Sequence, residues 1–328
     1  MSCLPPSPTT ARAEPAAGAA ARRARQAALI ARALAYVDAH LDQPLDADRL
    51  ADCAAMSRFH FHRVFQAHVG CSVGRYVTWR RLRRACALLA SGREAVLEIA
   101  LAVGFESAQA LAKALKRELD TTPTAVRRGA DAAWPSLPVP RLPPAGIALS
   151  HGEPQPMQPS RFATVPDATV ALTATGRGMI DHHLTRAAQQ AFGELGAALG
   201  RSGRQSEVRS WISLMPDDPQ GPDDPHCRYI AGVVFGHALA DGRGECRQPD
   251  LPLTGTLAWQ PIAPGRCAVF THRGPYDGLH RSWGAIYRDW LPASGETLRD
   301  AWPMELCLNS PERTPPADLL TELWVPIG

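Results

Sequence analysis

Apolar residues before position 129 recur at intervals of three and four, as in Ile30, Leu34, Val37 and Leu41, or Leu82, Cys86 and Leu89. That spacing keeps one face of a 3.6-residue turn apolar and predicts helices. Beyond position 157 the pattern changes. Runs such as Gly265 to His272 and Leu319 to Ile327 read as strands, set around two helical stretches near Asp181 to Leu199 and Asp277 to Leu291. Between the two regions, residues 129–160 hold eight prolines, Pro143-Pro144 among them. Proline fixes φ and lacks an N–H, so this segment sustains neither a long helix nor a central strand. The pattern divides the chain into an all-α region at 22–128, a Pro-rich linker at 129–156 and an α+β region at 157–328. Residues 1–21, rich in Ala and Pro and without the apolar run of a signal peptide, read as a flexible tail.

The helical region repeats itself. Leu50-Ala51 through Ser57, Phe65, Gly70, Val73 and Tyr76 correspond to Ile99-Ala100 through Ser107, Leu115, Asp120, Pro123 and Val126, with one extra residue in the second copy's turn. Each copy is a short helix, a tight turn and a longer helix opened by a Ser suited to cap it. That order is a helix-turn-helix, present twice.

Within the first copy, His60 and His62 stand two positions apart. Residues so spaced point about 200° apart on a helix, so the pair does not share a metal. Phe61, Val64 and Phe65 form a buried stripe, which places Phe59, His62, Arg63 and Gln66 on an outward one. Arg63 can donate two parallel hydrogen bonds to guanine, Phe59 can touch a thymine methyl, and His62 can reach a base edge or phosphate. The same residues also suit an ordinary solvated helix face. In the second copy the outward stripe carries Gln109, which suits adenine, and Lys113 and Lys116, which suit guanine or phosphate. Arg81, in the helix between the copies, is a further candidate for phosphate contact.

Charge sharpens this picture. The 328 residues carry a net charge of only +3, yet residues 22–128 hold 18 Lys/Arg against 10 Asp/Glu while residues 129–328 hold 16 against 21. A basic block beside an acidic one points to a polyanionic partner for the first half alone. The hydrophobic fraction of 45% and the lack of a long apolar run argue against membrane insertion. Eight scattered cysteines, none in a C-x-x-C pair, suit reduced thiols and a cytoplasmic location.

The pieces Leu50-Ala51, His62-Arg63-Val64-Phe65, Tyr76, Arg81-Leu82-Arg83-Arg84-Ala85, Ile99-Ala100, Gly104-Phe105-Glu106-Ser107 and Thr122-Pro123 hold fixed spacings over more than eighty residues. In these the chain resembles the double helix-turn-helix domain of AraC/XylS-type transcriptional regulators. The resemblance implies that Phe59, His62 and Arg63 lie where such proteins place base-reading side chains. It also implies two recognition helices that can reach successive major-groove faces about 34 Å apart.

The second region resembles the GyrI-like, or SOUL-like, effector-binding domain. The resemblance rests on Gly265 to Tyr276, Trp290 to Gly295, Met304-Glu305-Leu306-Cys307, Thr321 to Ile327 and, in the first half, Asp217-Asp218-Pro219 through Cys227-Arg228-Tyr229. It implies an α+β fold of two βαββ repeats about a cleft. The strand, helix, strand, strand reading fits that fold, with Ala163 to Thr175, Asp181 to Leu199, Arg209 to Met215 and Arg228 to His237 as the first repeat. By the same resemblance Glu305 is the cleft carboxylate that meets a small, cationic or lipophilic effector, with Tyr276, Trp283, Tyr287 and Trp302 available as aromatic walls. Many members carry Tyr where this chain has Cys307, which removes a possible phenol donor.

The order of the two domains resembles the right-origin-binding type of regulator. The expected partners are double-stranded DNA, a small-molecule effector and RNA polymerase, with no cofactor and no metal. A hydrolase using Glu305 as a general base and an architectural DNA-binding protein without effector control are the alternatives. Neither a nucleophile elbow nor a phosphate loop supports the enzymatic one.

Overall fold

A computed structural model of the chain describes residues 13–45, 47–92, 94–129, 157–180, 184–217, 224–236, 239 and 246–328, with the backbone alone at 13–17 and 59. The expected linker therefore lies almost wholly outside the described residues, as do positions 1–12 of the expected tail. Residues 13–21 correct that expectation, because they belong to the first helix, α1 (Ala13–Ala39). Alanine is the strongest helix former, so a stretch that lacks an apolar stripe still extends a helix that is packed further along.

Six helices follow: α2 (Ala47–Cys53), α3 (Arg58–Val69), α4 (Val73–Ser91), α5 (Val96–Ala102), α6 (Ala108–Leu119) and α7 (Pro123–Arg127). The Ser and Thr caps fall where the repeat places them. Ser57 Oγ accepts from the His60 N–H at 3.4 Å and Ser107 Oγ from the Ala110 N–H at 3.1 Å. Ser72 and Thr122 cap α4 and α7 in the same way. Each helix-turn-helix has its own core. Phe61, Val64 and Phe65 pack with Leu50, Ile30 and Val37 in one, and Leu111 and Leu115 with Ile99, Val103 and Leu89 in the other. Helix α4 serves both, its Val73 to Trp79 end entering the first core and its Leu82 to Leu89 end the second.

The second region is an eight-stranded antiparallel sheet with helices on one face. Its strands are β1 (Arg161–Val165), β2 (Val170–Met179), β3 (Val208–Leu214), β4 (Asp224–Phe235), β5 (Ala258–Pro261), β6 (Gly265–Arg273), β7 (Met304–Cys307) and β8 (Leu320–Pro326). They lie in the order β1-β6-β8-β7-β3-β4-β2-β5. The run expected as one strand from Ala163 is two strands, parted by a turn at which Ala168 takes φ 60°. The second expected helix is a chain of short pieces. It comprises a 3₁₀ turn, α9 (Leu279–Ala285), a π-helical turn over Ile286–Trp290 and α10 (Leu291–Ser294).

The two repeats meet at the β7·β3 pairing, and the strand order reads alike outward from that seam. The outermost strands are exchanged. β1 precedes the first repeat but pairs with β6 of the second, whereas β5 precedes the second and pairs with β2 of the first. Helix α8 (Thr185–Ser202) covers the first repeat through Ala191, Leu195 and Leu199 against Leu172, Ala231 and Val233. The α9–α10 segment covers the second through Ile286, Tyr287 and Trp290 against Ala268, Phe270 and Leu323. The other face gathers Ile212, Ile230, Val269, Met304, Leu306 and Trp324 from both repeats into one cluster.

Candidate functional site

Helix α6 turns Leu111 and Leu115 fully inward and leaves Gln109, Lys113 and Lys116 exposed on the other side. Lys116 pairs with Asp120 at 2.5 Å, one turn on. Asp120 closes α6 in the left-handed region at φ 47°, a conformation that short Asp and Asn side chains tolerate better than most. The sign and spacing of this face suit a phosphate backbone and base edges.

Helix α3 is arranged differently. Phe61, Val64 and Phe65 are buried as the periodicity requires, and Gln66 is exposed, but His62 is only 4% exposed and Arg63 is half-buried. The outward stripe expected to face solvent is thus partly covered by the second domain. Arg63 lies with its guanidinium 5.8 Å from the centre of the Tyr287 ring. The side chain of Phe59 lies outside the described residues. His60 projects away from His62, and its burial lowers its pKa by desolvation.

Arg81 does not join these faces. Its Nε donates to the Leu41 carbonyl at 3.0 Å and its Nη2 to the Gln43 carbonyl at 2.7 Å. The guanidinium satisfies carbonyls left open beyond the end of α1. Gly104, at φ 86°, packs against the same spot, where an added Cβ would fall 2.2 Å from the Leu41 oxygen. The expected phosphate contact is corrected to a brace between α4 and the α1–α2 turn.

In the sheet, Glu305 of β7 stands directly opposite Ser213 of β3, at the seam between the repeats. Neighbouring Met304 and Leu306 point to the other face, as strand alternation demands. Ser213 Oγ donates to Glu305 Oε2 at 3.0 Å and Trp283 Nε1 to Oε1 at 2.9 Å. Burial raises the carboxyl above its usual range, while the Trp283 and Ser213 donors and the positive charge of Arg63 act against the rise. Around it, Tyr229 and Tyr276 have phenols pushed up by burial and then by neighbouring negative charge, with Glu305 contributing to each. The Cys307 thiol is pushed up to about 11, chiefly by burial. Phe192 lies 6.1 Å from Tyr229 and 6.2 Å from Trp211, an aromatic group of the first repeat, while Trp283 comes from the second. A buried carboxylate held by neutral donors in such a setting has the chemistry to accept a cation with apolar arms.

The model for the GyrI-like small molecule binding domain matches residues 159–328. The chain belongs to this family. A helix-turn-helix domain model matches residues 50–129. The right origin-binding protein of Escherichia coli strain K12 is 36% identical over 103 residues, which are 31% of this chain and 36% of that protein. The transcriptional regulator Rob of Salmonella typhimurium is 35% identical over 106 residues, 32% of this chain and 37% of that one. The regulatory protein SoxS of Escherichia coli strain K12 is 31% identical over 94 residues, 29% of this chain and 88% of SoxS. The matched stretch spans little more than a third of the first two relatives and most of the third. The chain is therefore an AraC-type helix-turn-helix protein of the Rob-like kind, with a GyrI-like domain after the helices.

Within the GyrI-like domain the sequence-level aromatic set divides. Trp283 touches Glu305, and Tyr276 lies close enough to feel its charge. Tyr287 stacks on Trp283 with ring centres 5.7 Å apart and planes 14° apart, one step from the carboxylate. Trp302 is a correction. It lies just before β7 and packs against the cluster of Met304 and Leu306 on the opposite face. Ser213, Tyr229 and His272 also lie near Glu305; Ser213 reaches it by pairing across the seam, and Tyr229 and His272 through the order of strands far apart in the chain, for which local spacing carries no signal. Among the described residues no His, Cys, Asp and Glu cluster could hold a metal, no helix is long and apolar enough to cross a membrane, and the cysteines are free.

Proposed function

We propose that this protein is a cytoplasmic, non-enzymatic transcription regulator. Its α3 and α6 read double-stranded DNA, and its Glu305 cleft takes a lipophilic cation that alters recruitment of RNA polymerase. The observation that carries the reading is the pairing on one chain of two capped recognition helices with a buried seam carboxylate held by Ser213 and Trp283 donors. In α3 the readers are Phe59, His62, Arg63 and Gln66, and in α6 they are Gln109, Lys113 and Lys116. Trp283, Tyr276 and Tyr287 form the aromatic side of the cleft. A hydrolytic role gains little support from Cys307, since a thiol with its pKa raised to about 11 is not a nucleophile at neutral pH.

Selection of random duplexes by the full-length protein, followed by footprinting at one fixed salt concentration, tests the DNA half. A recovered consensus is expected, and recovery of no preference refutes it. Calorimetry with tetraphenylphosphonium tests the other half. Glu305→Gln should weaken binding at least tenfold, as expected when a buried charge pair loses one partner. Equal affinities would remove Glu305 from the site.

A further inference from the structure

The face of α3 assigned above to DNA is occupied by the chain itself. Ala67 is buried in a cluster with Phe270, Leu279, Ile286, Tyr287 and Trp290 of the GyrI-like domain. Arg63 Nη1 approaches the Tyr287 hydroxyl at 3.4 Å, too long to count for much alone. The burial of Ala67 within that cluster marks the contact as packed rather than glancing. Helix α1 fastens the same edge. Arg22 donates from Nε to the Pro292 carbonyl at 2.8 Å and from Nη2 to the Ala293 carbonyl at 3.0 Å, and Arg23 Nε donates to the Asp289 carbonyl at 3.2 Å. A recognition helix enters a groove about 12 Å wide with its reading face bare. The reading face of α3 therefore cannot hold a duplex and the 279–293 segment together.

The covering segment is also a wall of the cleft. From Arg63 the contacts run to Tyr287, from Tyr287 by stacking to Trp283, and from Trp283 Nε1 to Glu305. A cation paired with Glu305 competes for the carboxylate that positions Trp283, and it adds a positive charge on the side from which Arg63 approaches.

We propose that segment 279–293 masks the first recognition helix in the unliganded protein, and that a cation in the Glu305 cleft releases α3 to bind DNA. The inference rests on the assignment of α3 to DNA and of Glu305 to a cation. A ligand moves such an equilibrium only by its preference for one arrangement, and the coupling is reciprocal. Duplex must therefore tighten the cation by the same factor by which the cation tightens duplex.

The test uses full-length protein and the duplex recovered by selection, at one salt concentration. Arg22→Ala with Arg23→Ala cuts the fastening without touching α3 or the cleft. Removing two positive charges would by itself weaken DNA binding, whereas unmasking should tighten it roughly five- to tenfold, the lower part of the usual coupling range. Tetraphenylphosphonium should tighten wild type by a similar factor and the double variant less than twofold. Wild type supplies a second measurement that needs no variant, since duplex should speed amide hydrogen exchange across 279–293. Affinity in the double variant equal to or below wild type, or unchanged exchange in 279–293 on duplex binding, overturns the masking while leaving DNA recognition standing. Failure of both proteins to select any duplex overturns the assignment of α3, and the masking with it.

Discussion

Replacement of Arg81 by Met separates a structural arginine from a DNA-contacting one. Met keeps most of the apolar stem but removes the donors that reach the Leu41 and Gln43 carbonyls at 3.0 and 2.7 Å. A hydrogen bond to a charged donor is worth about 1.5–3 kcal/mol. The Gln43 bond is exposed and contributes less, which leaves a loss of about 2–3 kcal/mol for the pair. Helices α1–α7 span roughly 115 residues, and at about 2.1 cal/mol/K per residue the expected drop in melting temperature is about 10 °C. Differential scanning calorimetry measures that drop, and titration of duplex at several salt concentrations measures the ionic contribution. Arg81→Met should leave the salt slope of DNA binding at its wild-type value. Lys113→Met should do the reverse, holding the melting temperature and lowering the slope by about 0.9 for one lost phosphate contact. A stable Arg81→Met protein with a reduced salt slope would refute the brace and restore Arg81 to the DNA surface.

Cation binding at the proposed Glu305 site should be pH-dependent. Because burial raises the Glu305 pKa, cation binding below that raised value is coupled to loss of a proton, so affinity for tetraphenylphosphonium should rise with pH through it and calorimetry there in buffers of different ionisation heat should detect proton release. For the same reason stability falls as pH rises from the ordinary Glu value to the folded one, by about 1.4 kcal/mol for each pH unit between them, and Glu305→Gln should abolish this slope in urea titrations across pH. His68, buried against Gln26 at 3.0 Å, has its pKa lowered to about 4, mainly by desolvation and then by Arg288. Its contribution is complete above the ordinary value of 6.5 and is lost as pH falls towards 4, up to roughly 3 kcal/mol, and melts of His68→Gln over that window should be flatter than those of wild type. Phe65 is fully buried between Phe61 and Tyr76, with ring centres 5.5 and 5.8 Å away, so Phe65→Ala should cost about 3–5 kcal/mol and abolish duplex selection together with the α3 helix.

The parts of this molecule governed by local spacing are readable from the chain alone. Phe61, Val64 and Phe65, or Leu111 and Leu115, are buried because helical periodicity leaves them nowhere else to point, and the Ser caps depend only on neighbouring backbone. Glu305 and its opposition to Met304 and Leu306 follow from strand alternation and the family resemblance together. What escapes depends on contacts between distant residues. Arg81 looks like every other arginine in its run until the Leu41 carbonyl is placed beside it. Trp302 suits the cleft by residue type, although the segment leading into β7 packs it with Met304 on the far face. The cover over Arg63 is a contact across more than two hundred residues, and periodicity within a helix carries no signal for it.

The exchange of outer strands between the two repeats reaches beyond the cleft. A chain cut between β4 and β5 yields two pieces, each lacking the strand that completes its own sheet and each carrying the one the other needs. Exposed edges of that kind invite pairing. The two halves, expressed as separate polypeptides, are thus built to reconstitute one another, and the seam that holds Glu305 opposite Ser213 forms only when they do.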